Sequence, residues 1–383
     1  MNRTEKMAEI KTKIIADETR IAVIGGDARQ LAAAAELSNA GFAVSLGGFG
    51  SLCGGGPGLD SALCTAAFGQ KDVCPHLLPL FSGRVRIGAT AAEAAEGAEL
   101  LLLPIPLSRD GKTLLCPYST KGELLQTGEY SPKGKLSPTG ETITPETVGG
   151  ILERQKTVQA VIGGGFSGAS GEPFAAAVSR SGAAVCDILA SEEFAAANAA
   201  STAEGVAAAV MAVLPVTVSG CRAHVIGYGR TGKALARLLR GMGAEVTVYA
   251  RREEVRKEAD REGYLALPTE LLDGKYGAAL PYPLSSAAVV FNTVPVLLIG
   301  EPEIRRIADD CAAFSAPPPL LADIASLPGG IDKDAAASAG IRVLHELAIP
   351  GRAAPVSAGA AVARYVRGVI ENFKTSGKEK EWK

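Results

Sequence analysis

The chain has 383 residues, 47% of them hydrophobic and 45 of them glycine, with a formal net charge of −2; this suits two α/β domains with buried cores and gives no sign of a nucleic-acid partner. Seven scattered cysteines without a CxxC pair, and three histidines outside any His/Cys cluster, argue against a disulfide framework and a zinc site and fit free thiols in a reducing cytosol. No run of about eighteen apolar residues occurs, and the charged start MNRTEKMAEIKTK lacks a signal-peptide core, so a cytoplasmic protein without membrane contact is expected.

The first predicted unit is strand, turn, helix and strand: Ile21 to Ile24, the turn Gly25-Gly26-Asp27, a helix around Leu31 to Leu37 stopped by Gly41, then Phe42 to Leu46. The turn is GGD rather than GxGxxG, so it does not imply a cofactor. The stretch GGFGSLCGGGPG that follows reads as a loose loop or a lid. A buried strand, Leu100 to Leu103, ends in Pro104 and Pro106 before Ser108 and Arg109, as at the carboxyl edge of an open parallel sheet where ligands bind. Residues 131–147 are polar and rich in turn formers and read as a surface excursion, and VQAVIGGGFSG returns to a strand and glycine turn. From 191 to 214 the pattern is helical and ends at Pro215, which suits a connector between two lobes.

The second lobe opens on CRAHVIGYGRTGKALARLLRGMGAEVTVYARR. The apolar run 223–226 leads into Gly227-Tyr228-Gly229-Arg230-Thr231-Gly232, then Leu235, Leu238, Leu239 and Met242 recur at helical spacing before Gly243, and Glu245 to Tyr249 form a strand. A GxGxxG in that context binds a dinucleotide: Gly227 allows the turn, Gly229 the approach of the pyrophosphate, and Gly232 close packing of helix on strand. Where NAD enzymes carry an acidic residue for the ribose, this chain has Ala250, Arg251 and Arg252. A guanidinium can fork onto a 2′-phosphate, so NADPH is expected over NADH. AAVVFNTVP, PPLLADIASLPGG and IRVLHELAIPG read as three further parallel strands, followed by a terminal helix and a solvated tail.

The ordered segments VIGGDARQ, LLPIPLSRDG, NAASTAEG, VIGYGRTG, FNTVP, DIASLPGGID and IPGRAAPVSAG resemble, over nearly the whole chain, one family: the dipicolinate synthase A subunit, the dehydrogenase-like protein of endospore-forming bacteria. The chain departs from the family in the loop GGFGSLCGGGPG, the alanine-rich connector and the excursion at 131–147, none of which removes a motif. The resemblance implies a sporulation enzyme fed by the lysine and diaminopimelate route. It would oxidise a dihydrodipicolinate-type ring to pyridine-2,6-dicarboxylate, passing hydride to NADP and working with a small flavoprotein-like second subunit.

A ring with two carboxylates demands fixed cations or N–H donors. Arg29, Arg109 and Arg352, each in a turn after a strand, are the candidates; Asp27 either caps the helix that follows it or orients Arg29. The proton lost on aromatisation would go to His345, Glu204 or solvent. Asn292, Thr293 and Pro295, and then Asp323, Ser326 and Gly329, are expected to run under the nicotinamide and its ribose, with Tyr228, Arg230 and Thr231 contributing at the phosphates. D-2-hydroxyacid dehydrogenases usually carry a catalytic arginine before the GG of a comparable loop, where this chain has Leu327-Pro328. The expected fold is α/β: two doubly wound parallel-sheet lobes, 1–190 for substrate and catalysis and 215–354 a Rossmann dinucleotide-binding domain, joined by the connector helix 191–214. The helix and tail over 355–383 could pack back on the first lobe. An alanine-dehydrogenase-like or hydroxyacid dehydrogenase and a non-catalytic NADP-sensing protein are the alternatives, and a homo-oligomer is open.

Overall fold

The computed structural model describes residues 19–49, 85–116, 141–273 and 283–380. The glycine-rich loop beyond Phe49 and residues 131–140 of the polar excursion lie outside them. The described residues form two compact units. One takes in the described residues up to 195 and those from 354 on, and the other the described residues between 196 and 353.

In the first unit the elements are β1 (Arg20–Ile24), α1 (Ala28–Asn39), β2 (Ala43–Gly47), β3 (Val85–Ile87), α2 (Ala91–Ala94), β4 (Leu100–Leu102), α3 (Pro145–Arg154), β5 (Ala160–Gly163), α4 (Glu172–Ser181) and β6 (Ala184–Asp187). The six strands are parallel in the order β3-β2-β1-β4-β5-β6. That order reverses direction between β1 and β4, which opens a crevice at their carboxyl ends. The strands read as continuous apolar runs because both faces are covered. Ile24, Leu101, Leu103 and Val161 pack there with Val148, Ile151, Phe174 and Val178 of the helices. The excursion expected through residue 147 gives way to α3 at Pro145, a residue suited to a first helical position and capped by Thr144.

The helix α5 (Glu192–Met211) runs from one unit into the other, and its Ala203, Val206 and Val210 are buried in the core of the second. There follow β7 (Arg222–Ile226), α6 (Arg230–Gly241), β8 (Glu245–Tyr249), α7 (Glu253–Arg261), β9 (Leu265–Leu267), β10 (Val289–Asn292), α8 (Glu301–Ala313), β11 (Leu320–Asp323), α9 (Lys333–Ser338), β12 (Val343–His345) and α10 (Ile349–Ala353). Again the sheet is parallel, in the order β12-β11-β10-β7-β8-β9, with the reversal between β7 and β10. Its two faces bury separate cores: Ala223, Val225 and Val248 lie on one side, and Ile226, Tyr249 and Leu321 on the other. The terminal helix α11 (Pro355–Lys380) packs on α1 in the first unit. A Cβ at Gly359 would lie 2.5 Å from the Ala32 methyl, so small residues on both helices permit the close approach. Among the described residues no helix is long and apolar enough to cross a membrane.

Candidate functional site

At the crevice of the second sheet each fingerprint glycine has a distinct surrounding. Gly227 has φ +94°, and a Cβ there would lie 2.2 Å from the Thr293 hydroxyl. That hydroxyl donates to the Ile226 carbonyl at 2.9 Å, so β7 and the residue after β10 close on each other at the turn. A Cβ on Gly232 would come 2.0 Å from the Gly227 oxygen, which is how α6 sits directly on the turn. Gly229 is the opposite case, with no atom within 4 Å of where its Cβ would be and no side chain capping the helix it begins. An uncovered helix N-terminus beside an open glycine fits a dinucleotide pyrophosphate.

Tyr228 is not available to a ligand through its side chain. The ring is 3% exposed, its hydroxyl donates to Glu262 Oε2 at 3.0 Å, and it meets Tyr264 edge-on. Burial first, then the bond to Glu262, push the phenol well above its ordinary range. Glu262 also takes Arg237 through Nε and Nη2 at 3.0 to 3.2 Å, so the residue between the first two glycines anchors the turn from beneath. Only its backbone stays with the phosphate turn. Arg230 is exposed at the start of α6, and Thr231 is half-buried beside it.

At the end of β8, Ala250 is buried, and Arg251 and Arg252 are exposed. Arg256 Nη1 donates to the carbonyls of Ala250 at 3.0 Å and Arg251 at 2.6 Å and so holds the bend that presents the two arginines. Among the described residues neither Arg251 nor Arg252 has an ion-pair partner, and Glu253 next to them is engaged with Lys257 at 2.8 Å. The position that would suit a ribose-binding carboxylate thus carries two cations instead.

The loops after β10 and β11 differ from expectation in one respect. Asn292 and Asp323 are both fully buried, and their polar atoms are spent on architecture. Asn292 Nδ2 donates to Asp323 Oδ1 at 2.9 Å and to the Val294 carbonyl at 3.0 Å. Asp323 Oδ2 receives the amides of Gly330 at 2.9 Å and Ile331 at 3.3 Å. Gly329, at φ +89°, comes so near that a Cβ would lie 2.6 Å from Asp323 Oδ2. These three residues shape the loops and do not offer side-chain contacts, while Pro295 and Ser326 stand exposed on the rim. Val296, Leu297 and Leu327 are exposed on the same two loops.

At the end of β12, His345 Nδ1 is in close contact with Lys333 Nζ, from the first residue of α9. Sequence reasoning did not single out Lys333; only the register that sets Asp323 beside His345 brings it there. Arg352, expected as a free cation for substrate, is paired with Glu346. Glu204 lies on the exposed side of α5, opposite the buried Ala203 and Val206.

The crevice of the first sheet holds the remaining candidates. Asp27 caps α1, receiving the Arg29 amide at 2.9 Å, while its own amide donates to the Gln30 side chain at 2.9 Å. Arg29 is 3% exposed and forks back onto Asp27, with Nε–Oδ1 at 3.0 Å and Nη2–Oδ2 at 2.7 Å. Its Nη2 also donates to the Ile105 carbonyl, so the guanidinium ties the turn after β1 to the loop after β4 across the crevice. Arg29 is a clamp, and the expectation that it receives a substrate carboxylate gives way to that buried pairing. Arg109 is exposed on the same loop and has no ion-pair partner among the described residues. Its neighbour Asp110 is held at about pKa 2, first by the Thr113 amide and also by the Lys112 amide and the Ser108 hydroxyl, in a tight turn. Cys116, against Gly25, has its thiol pushed up to about 12 by burial, which removes it as a nucleophile.

Residues 186–274 match the family model described as D-isomer specific 2-hydroxyacid dehydrogenase, NAD binding domain. The chain is 27% identical over 215 residues to the dipicolinate synthase A subunit of Bacillus subtilis (strain 168), a match that takes in 56% of this chain and 66%, just under two thirds, of that protein. Among solved structures, the dipicolinate synthase A subunit of Bacillus halodurans aligns over 92% of this chain and 97% of its own, with a TM-score of 0.62 and 22% identity. The corresponding Bacillus subtilis dipicolinate synthase structure aligns over 95% and 99%, with a TM-score of 0.63 and 20% identity. A transhydrogenase from Sinorhizobium meliloti aligns over 92% and 94%, at 0.52 and 15%. Residues 186–274 are an NAD-binding domain of dehydrogenase type, within a chain homologous to the dipicolinate synthase A subunit.

Proposed function

We propose that the chain is an NADP-dependent dehydrogenase that converts a dihydrodipicolinate-type ring to pyridine-2,6-dicarboxylate. The observation that carries the cofactor reading is the open glycine turn of α6 beside a strand end that bears Arg251 and Arg252 in place of a carboxylate. Gly229 and the amides at the start of α6 hold the pyrophosphate, and the two arginines take the 2′-phosphate. Bound there, the nicotinamide supplies the hydride acceptor. Arg109 is the cation for one substrate carboxylate, its loop held in place by Arg29. His345 lies at the carboxyl edge of the second sheet, where the ring proton leaves. The Bacillus subtilis relative is named as one subunit of its synthase, which supports a partner chain here too. The family resemblance is what supports our reading of that partner as flavoprotein-like and of the reaction as one of sporulation.

The family model favours a second reading, reduction of a 2-keto acid. Leu327-Pro328 stand where those enzymes carry their arginine, which weighs against it.

The test is a titration of the protein with NADPH and NADH, repeated on the Arg251→Ala, Arg252→Ala variant. Removal of the charge-assisted contact costs about 1.5–3 kcal/mol, about ten- to a hundredfold in NADPH affinity, with NADH unchanged. Turnover assays with cyclic dicarboxylates and simple 2-hydroxy acids then separate the two substrate readings. A wild type that prefers NADH refutes the cofactor assignment.

A further inference from the structure

The aromatisation step needs a proton acceptor, and the close contact between Lys333 and His345 is a feature of the second unit that cofactor binding leaves unused. We propose that Lys333 is the catalytic proton acceptor, with His345 as the positioning residue that shares its proton; this rests on the dehydrogenase reading given under the proposed function.

The surroundings of Lys333 single it out. It follows directly on the loop that begins at Asp323, and that loop's carboxylates are already engaged. Asp323 is taken by Asn292 and by loop amides, and Asp332 Oδ1 caps α9 through the Ala335 amide at 2.9 Å. Among the described residues no carboxylate lies within ion-pair distance of Lys333. A carboxylate neighbour would hold the proton on Nζ, whereas an imidazole nitrogen competes for it. His345 offers Nδ1 to the lysine and its Nε2 is buried, so the proposal gives the reactant's proton to Lys333, a half-buried residue, and not to the far ring nitrogen. Register fixes the place. His345 is the partner of Asp323 at the carboxyl ends of β12 and β11, the edge on which a doubly wound sheet binds its ligand.

In the proposed step the proton that Nζ and Nδ1 share passes to the imidazole, which leaves the Nζ lone pair to accept from the ring. The dihydro ring loses one C–H bond with both its electrons to the oxidised nicotinamide and one proton to the Nζ lone pair, and becomes the aromatic dicarboxylate. The pair then holds two protons and returns one to water. A lysine suits this role because its amine form is nucleophilic and basic, while an arginine in its place would stay protonated.

The experiment compares wild type, Lys333→Ala, Lys333→Arg and His345→Gln in three readouts: NADPH affinity, turnover of a dihydro dicarboxylate, and nitrogen NMR of the His345 ring against pH without cofactor. Lys333→Ala is expected to lower kcat by at least ~100-fold. Its NADPH affinity should stay within about twofold, because Lys333 lies outside the phosphate turn. Added ethylamine should restore part of its turnover, Lys333→Arg should stay inactive, and His345→Gln should keep NADPH affinity while losing kcat. In the NMR titration the His345 curve should move when Lys333 is removed. Full turnover in Lys333→Ala or Lys333→Arg, or a His345 titration indifferent to Lys333, overturns the proposal while leaving the dehydrogenase reading in place. A wild type that binds NADPH and turns over no cyclic dicarboxylate removes that reading, and this role with it.

Discussion

His224 makes the second unit sensitive to acid. It lies in the middle of β7 between Thr247 of β8 and Val290 of β10, is fully buried, and has no hydrogen-bond partner among the described residues on either ring nitrogen. The ring stacks on Tyr249 with centroids 5.5 Å apart. Burial, with a smaller contribution from Arg222, lowers its pKa from the ordinary 6.5 to about 4. The unfolded chain therefore takes up a proton near pH 6.5 that the folded chain refuses until about pH 4. Stability is present in full above 6.5 and declines as the pH falls toward 4, by about 3 kcal/mol in total at about 1.36 kcal/mol per pH unit. His224→Phe keeps a ring for Tyr249 and removes the titrating group. The assay is hydrogen exchange of the β7 and β10 amides, corrected for intrinsic rates, in both proteins from neutral pH downward. The wild type should lose protection relative to His224→Phe across that window. Parallel curves for the two proteins would refute the reasoning.

Two packing contacts give further expected outcomes. In Gly232→Ala the new methyl would sit 2.0 Å from the Gly227 oxygen, so α6 must move off the turn, at a cost of about 1–3 kcal/mol; dinucleotide affinity should fall at least about tenfold with the helical circular dichroism unchanged, and unaltered affinity would contradict the packing role. Arg29→Met leaves Asp27 without its buried partner and should cost about 3–5 kcal/mol in urea unfolding. The double variant with Asp27→Ser, which retains a helix cap, should cost clearly less than the sum of the two single changes.

What could be read in advance was whatever is local along the chain. The glycine turn, the helix after it and the strand Glu245–Tyr249 lie within one stretch, and the spacing of their residues dictates their contacts. The parallel strands were legible for a similar reason: an apolar run such as Ile21 to Ile24 can only be buried on both faces. The short strands β3, β6 and β9 were not, since half-exposed three- and four-residue segments carry no periodicity of their own. The site residues divide the same way. Arg29 reads as a free cation in sequence, but its second partner, Ile105, is 76 residues away. Asn292 and Asp323 look like ligands because they are polar at strand ends; the 31-residue separation conceals that they satisfy each other. Tyr228 is fixed by a glutamate 34 residues on, and Lys333 acquires its meaning from a strand that follows it by 12.

The two sheets share one strand order, and each sends a helix away from its crevice, yet the starts of those helices are finished differently. Glycine leaves the start of α6 bare. At α1 the Asp27 carboxylate already sits on the amides that a phosphate would seek. That carboxylate acts as a built-in competitor: being covalently attached, it is present at an effective concentration that no free nucleotide reaches. A phosphate arriving at the first unit would meet an occupant of its own sign that cannot diffuse away. At this one position the two halves of like strand order differ by a side chain that opposes a phosphate in the first unit and has no counterpart in the second.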